Sequence, residues 1–267
     1  MQDVIRISSF GHYLDAIENL RFSKNSDGFI PHIWFRGHPN IAYKLIPSVQ
    51  RYFSEYSEVD LFERERNLNT DFMSRASTFL ETRPEMNDFC SWIQLMQHYG
   101  FPTRLLDWSR SPLYALYFAT SDRSADEFDG CIWMLNPGLL NKYMAFESNT
   151  YIYNMEHGVV KSLVIPAFKH STHEAKSIVA CYATLNKLRV FTQQSAFTVH
   201  DTRNKLEDIH TDIYNETGGE MLQRILIPAR YKHDIFEQLY SSGITHSNVF
   251  PDIEYLAKDI KKQYGIG

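Results

Sequence analysis

One uninterrupted run, Gln97-His98-Tyr99-Gly100-Phe101-Pro102-Thr103-Arg104-Leu105-Leu106-Asp107-Trp108-Ser109-Arg110-Ser111-Pro112-Leu113, constrains this chain more than any other. Gly100 with Pro102 behind it stops one helix, and Ser111 as N-cap with Pro112 at the first helical position starts the next. A plain connection would be solvated and ordinary in composition. This one is crowded with side chains that bind, orient or titrate, and it is held between two helix ends, where sites are built.

Two further polar islands stand in an otherwise apolar, regular chain. In Ile33-Trp34-Phe35-Arg36-Gly37-His38 a short apolar run delivers one Arg at a strand end, and Gly37 allows a sharp turn or a close backbone approach. In Arg189 to His200 a strand carries the adjacent amides Gln193 and Gln194, which point to opposite faces.

Each residue has two readings. Arg36 closes a strand onto a buried carboxylate, or anchors an anion, since a guanidinium is always charged and grips phosphate bidentately. Gly37 then leaves room for a ligand, His38 flanks it, and Lys44 and Arg51 extend a phosphate-friendly rim. His98, with Tyr99 at a helix end, complements the dipole, or donates to ribose or phosphate and carries a proton. Thr103, Arg104 and Asp107 form a polar trio in which an Arg104–Asp107 pair fixes the loop. Trp108 is a pocket wall or core, Ser109 a cap or a ribose contact, and Gln97 lies one turn from the helix stop. Gln194 offers an amide to a carboxamide or base edge, or satisfies backbone. Asp252 and Glu254 stand at the start of a last helix, where carboxylates are stabilised in any case.

The islands Phe35-Arg36-Gly37, Gln97 to Ala119 and Gln193 to His200, with the closing Phe250-Pro251-Asp252-Ile253-Glu254, resemble in order the FRG domain family, named for its Phe/Tyr-Arg-Gly motif. The likeness runs from about Trp34 to Ile260. Ser195 stands where the family usually has Gly, and Glu254 where it has Asp. A more distant resemblance, to ADP-ribosyltransferases, lies in the aromatic-Arg-Gly strand end, the Ser109 turn and the helix that follows. It implies that Arg36, Gly37, His38, Gln97, Tyr99, Thr103, Arg104, Asp107, Trp108 and Ser109 bind NAD as substrate, and that Glu254, His98 and Gln194 are catalytic. Some members carry Gln-x-Glu-Phe where this chain has Gln194-Ser195-Ala196-Phe197, so the usual acid is replaced by Ala196, and Glu254 is the substitute. The resemblance implies transfer of ADP-ribose to a macromolecule, a nucleic acid or a protein acceptor, in a bacterial toxin or phage-defence setting. A non-catalytic nucleotide-sensing or interaction module using the same pocket is the alternative.

The net charge of −5 argues against a general basic nucleic-acid sleeve. Cys90, Cys131 and Cys181 sit far apart among apolar neighbours, which predicts buried free thiols in a reducing compartment. No pair has zinc spacing, His170 and His173 lack a completing set, and no metal is expected. With no signal peptide and no membrane-length apolar run, a cytoplasmic protein with no membrane contact is expected.

The pattern predicts an α+β fold with helices in the N-terminal half and a mostly antiparallel sheet in the C-terminal half, and the resemblance to ADP-ribosyltransferases implies a core of that kind. Helices are expected at 11–19, 57–80, 87–99, 112–120, 231–242 and 252–264. Strands are expected up to Phe35 and at 131–135, 159–168, 178–183, 189–192, 196–200 and 224–228. Residues 1–30 form a helical extension and 31–267 a single domain, with a possible insertion or lid at 138–158.

Overall fold

The computed structural model describes residues 5–19, 32–144, 150–170, 177–184, 194–201, 203–218 and 220–266. In chain order the elements are β1 (Ile5–Arg6), α1 (Phe10–Asn19), β2 (Trp34–His38), α2 (Ser48–Tyr52), α3 (Glu58–Ala76), α4 (Phe89–His98), β3 (Leu105–Ser109), α5 (Pro112–Thr120), β4 (Gly130–Leu135), α6 (Pro137–Met144), β5 (Tyr153–Asn154), α7 (Gly158–Val164), β6 (Ile178–Tyr182), β7 (Ser195–His200), α8 (Leu206–Thr217), β8 (Leu222–Ile227), α9 (Ala229–Ser241), α10 (His246–Val249) and α11 (Ile253–Gln263). The strands form one mixed sheet in the order β1-β8-β4-β2-β3-β7-β6-β5. The two outermost pairings, β1 with β8 and β5 with β6, are parallel, and the rest are antiparallel.

Side chains alternate across the strands and divide the core accordingly. Phe35, Ile132 and Ile225 pack under α1, α5 and α9. On the same face, Leu105, Phe197, Val199 and Val179 pack under α4 and α7. The opposite face, with Trp34, Leu106, Trp108, Ala180 and Ala196, is covered by α6, α8 and Leu45. The sheet is thus a middle layer with helices on both sides.

This corrects the expected split between an α half and a β half: β1, β2 and β3 lie in the first half, and α6 to α11 follow the midpoint. The Val159–Phe168 strand is instead α7 and a 3-10 turn at Ile165–Ala167. Its buried residues Val160, Leu163, Val164 and Ala167 recur at helical spacing, which the β-branched composition masked. The His157 side chain accepts from the Val159 amide and caps its start. The expected 189–192 strand lies outside the described residues.

Residues 5–19 are joined to the body. β1 pairs with β8 through Ile5 and Ile225, and the buried Tyr13 donates its hydroxyl to the Pro112 carbonyl at 2.8 Å. The 138–158 segment, expected as an insertion or lid, supplies most of α6, β5 and the start of α7. Asn141, fully buried, donates to the carbonyls of Tyr151 and Ala180 at 2.9 Å and accepts from the Ala180 amide at 2.7 Å, which fixes α6 to β6. All three cysteines are buried free thiols, and burial pushes Cys90 and Cys131 up to about 12. Among the described residues no helix is long and apolar enough to cross a membrane.

Of the described glycines Gly37 is the most closely enclosed: a Cβ there would lie 1.9 Å from the Ala115 carbonyl oxygen and 2.7 Å from the Ala119 nitrogen. Its φ is not positive, so the requirement for glycine is steric rather than conformational. The space beside Gly37 holds the α5 backbone, which corrects the expectation that it is left for a ligand. Gly37→Ala must move β2 away from α5 and is expected to lower stability by about 1–3 kcal/mol, read as a fall in the urea midpoint with an unchanged slope.

Candidate functional site

The structure parts the sheet next to Gly37. β2 and β3 share a single pair, Phe35 with Ser109, and then diverge. On its other edge β2 stays paired with β4 over all five residues, and β3 stays paired with β7 over all five of its own. The divergence leaves Asp107 unpaired on its β2 side, and Arg36 supplies a partner there: its Nη1 donates to the Asp107 carbonyl at 2.6 Å. Arg36 Nε donates to His38 Nε2 at 2.9 Å. The Asp107 carboxylate is at 3.9 Å from Nη1, with the two side chains 20% and 54% exposed. That distance is a loose contact, not a bidentate clamp.

A relay behind Asp107 fixes the cluster. The Thr103 hydroxyl donates to Gln97 Oε1 and accepts from the Leu105 amide at 3.1 Å. With its oxygen so engaged, the Gln97 amide presents Nε2 to Asp107 Oδ2 at 2.6 Å. Thr103 is held in turn by α2: its amide donates to Ser48 Oγ at 3.1 Å, and its carbonyl accepts from the Val49 amide at 3.2 Å. Gly100, with φ 71°, makes the left-handed turn that lets α4 end and the chain double back to Thr103.

Two buried imidazoles complete the cluster. His38 accepts from Arg36 through Nε2, so its proton is on Nδ1. That nitrogen meets no partner in hydrogen-bonding geometry among the described residues, although the Tyr43 backbone is near enough to favour a proton there. His200 shares Nε2 with Thr198 Oγ1 at 2.9 Å, Thr198 accepts from Trp108 Nε1 at 3.1 Å, and His200 Nδ1 is buried with no partner among the described residues. Burial first, then the charge of Arg36, pulls both imidazoles down to about 3. Burial and the neighbouring Arg51 also lower Arg36 against the opposing pull of Asp107. Arg36 Nη2 has no acceptor among the described residues. The cluster therefore combines a partly exposed guanidinium, a second nearby guanidinium and two neutral imidazoles, against one half-exposed carboxylate.

The structure brings Arg36, His38, Gln97, Thr103 and Asp107 together, and adds Thr198, His200 and Ser48, which sequence reading did not single out. The alternation Ala196-Phe197-Thr198-Val199-His200 is the signal that could have found two of them, because it places Thr198 and His200 on the Trp108 face. Other residues fall elsewhere. Arg104 is 1% exposed and does not pair with Asp107. It donates to both oxygens of Glu65 at 3.0 and 2.6 Å, to Asp201 at 2.5 Å and to the Leu163 carbonyl at 2.6 Å. Burial opposes its charge, and Glu65 and Asp201 outweigh that opposition. Trp108 is core. Ser109 Oγ accepts from the Ser111 amide at 3.0 Å and shapes the entry to α5. His98 ends α4 with its ring 5.1 Å from that of Tyr99. Tyr99 is exposed and lines a separate apolar hollow of about 520 Å³ with Phe72, Phe79 and Phe101.

The three residues expected to be catalytic do not gather. Gln194 is exposed in a left-handed turn with φ 49°, and its carbonyl accepts from the Arg110 amide. It lies three residues before Phe197, the residue opposite Asp107, so about 10 Å along the strand. Ala196 is fully buried opposite Trp108 and faces the core, so no acid could stand there without disrupting the packing. Glu254 is on α11, 70% exposed and paired with Lys258 at 2.9 Å. α11 packs on α10 and reaches α9, α9 packs on α5, and α5 on the Gly37 face of β2, while Arg36 points the other way. Glu254 thus stands on the far side of α5 from Arg36, and Asp252 accepts from the Glu254 amide as a plain helix cap.

The comparison with known families covers the Arg36 half of this region. Residues 31–127 match the model of the FRG domain. This chain carries an FRG domain. The matched residues run from the approach to β2 through α5, so they hold the Phe35-Arg36-Gly37 motif, the Gly37–Ala115 contact and the relay from Gln97 to Asp107. The Gln193–His200 and Phe250–Glu254 likenesses lie outside them. No curated protein and no solved structure matches the chain.

Two outcomes follow. Arg104→Met leaves Glu65 and Asp201 buried without their cation and is expected to cost about 3–5 kcal/mol in chemical unfolding. His38 and His200 bind protons more readily unfolded, at the ordinary 6.5, than folded, at about 3. Their contribution to stability is complete above 6.5 and is lost as pH falls toward 3, at about 1.4 kcal/mol per pH unit for each. His200→Gln should flatten the stability slope by that amount between neutrality and the carboxylate range.

Proposed function

We propose that this FRG domain binds a phosphate-bearing nucleotide at the opening between β2 and β3, with a dinucleotide of the NAD type as the ligand class. The observation that carries the reading is Arg36: partly exposed, anchored by one carbonyl and one imidazole, and keeping Nη2 for an outside acceptor. A structural Arg usually donates from every nitrogen, as Arg104 does. Arg36 instead has the geometry of a guanidinium held ready for phosphate, whose oxygens match its fork. Arg51, which spends Nη1 on the Ile46 carbonyl at 2.6 Å, adds positive potential at the same place.

Of the two functional readings, binding without ADP-ribosyl transfer is the better supported. Glu254 lies on the far side of α5 from Arg36, and the Ala196 position faces the core. The carboxylate beside Arg36 is Asp107, whose Oδ2 already accepts from Gln97. If transfer takes place, Asp107 is the acid positioned to stabilise a cationic ribose, so it is the residue to test.

Calorimetry with NAD, ADP-ribose and adenosine distinguishes these cases. NAD and ADP-ribose should bind and adenosine should not. Arg36→Gln should lower the affinity at least tenfold while Arg36→Lys retains part of it, with melting curves confirming that both variants fold. Asp107→Asn removes a competing negative charge and should tighten binding a few-fold. Failure of every phosphate-bearing ligand to bind the wild type overturns the proposal. Release of nicotinamide by the wild type that is lost in Asp107→Asn would instead establish turnover.

A further inference from the structure

α11 is built the wrong way round for a helix that ends its packing on its own chain. No residue of it is buried. It docks through Tyr255, Asp259 and Lys262. The Tyr255 ring stacks on Phe250 with centroids 4.4 Å apart. Asp259 accepts from Tyr240 at 2.8 Å, from the His246 amide at 3.0 Å and from the Ser247 amide and hydroxyl at 2.7 and 2.6 Å. Lys262 reaches Glu237 at 2.6 Å. At about 100° per residue these three side chains share one narrow sector. Ile253, Leu256, Ala257 and Ile260 fall in a sector roughly opposite and face solvent, with Ile253 77% and Ile260 49% exposed. Tyr264, just past the helix, extends the stripe.

The charges beside that stripe select its occupant. Glu254 and Lys261 lie on the same flank, equally far from the point between Ala257 and Lys258. A two-fold axis at that point, which makes the helices antiparallel, brings each Glu254 level with Lys261 of the partner subunit and opposes the helix dipoles favourably. The small side chain of Ala257 lies at the crossing and permits close approach. Parallel pairing would set Glu254 against its own copy. An anionic membrane surface would meet Asp252 and Glu254 in the first turn of the helix.

We propose that α11 forms an antiparallel, two-fold pair with the α11 of a second copy of this chain. The helix has eleven residues, so it is about 16 Å long, and a single such pair buries less than a standard interface. The dimer is accordingly weak and reversible. The proposal is independent of ligand binding at Arg36.

Sedimentation velocity on the full chain over a concentration series tests it. The wild type should show a reversible monomer–dimer equilibrium that weakens at high salt. Ile260→Glu should raise the dissociation constant at least tenfold and leave the melting temperature unchanged, since the residue is exposed. Lys261→Glu should also weaken the dimer, and Glu254→Lys combined with Lys261→Glu should restore it. A wild type that stays monomeric to its solubility limit overturns the proposal. So does a dimer indifferent to Ile260→Glu, a double exchange that fails to rescue, or a monomer that floats with anionic lipid vesicles through Ile260.

Discussion

The contact on which the rest of the site depends is between two backbones. α5 lies against β2 so closely at Gly37 that the Ala115 carbonyl occupies the space of a side chain. That approach holds β2 to α5 while β3 follows β7, and the two strands part after one shared pair. Parting a sheet exposes main-chain polar groups that must find partners. Here the Asp107 carbonyl finds the Arg36 guanidinium. The Arg of the Phe-Arg-Gly motif is thus placed by the Gly beside it: the glycine creates the gap, and the arginine satisfies what the gap leaves open.

Such an arrangement is legible only in part from sequence. The helix stop at Gly100 and the start at Pro112 act locally, through a left-handed φ and a pre-set first helical residue, and both stand in the structure as read. The association of Arg36 with the 97–107 segment could be guessed from composition. The partners of Arg104 could not, because Glu65 and Asp201 are 39 and 97 residues away. Local spacing favoured Asp107, three residues on, but in a strand that offset turns the two side chains to opposite faces. The helix α7 was missed for a different reason. In α7 a β-branched composition competed with a helical spacing of buried residues, and packing followed the spacing.

The two arginines of the motif-bearing segment show how burial divides one residue type between two tasks. Arg104 is enclosed with two carboxylates and a carbonyl, and each of its three guanidinium nitrogens donates. Such a group ties α3, α7 and the ends of β3 and β7 together. It has nothing left to offer a ligand. Arg36 is enclosed on one side only. Its anchors are a carbonyl and a neutral imidazole, which fix the direction of the guanidinium without cancelling its charge.

The neutrality of the two histidines belongs to the same balance. A cationic imidazole beside Arg36 would add repulsion inside a poorly solvated pocket, so burial and Arg36 together keep His38 and His200 uncharged. Uncharged, His38 can accept from Arg36, which it could not do as a cation, and its proton is forced onto Nδ1. The arginine thereby sets the tautomer of its own support. Asp107 is the counterweight, held off Arg36 at 3.9 Å by the Gln97 amide, whose orientation is fixed by Thr103. Were that carboxylate free to close on the guanidinium, the pair would be self-neutralising, and the opening between β2 and β3 would carry no charge to recognise. The relay from Ser48 through Thr103 and Gln97 keeps the two charges apart, and so keeps Arg36 available at the surface of the gap.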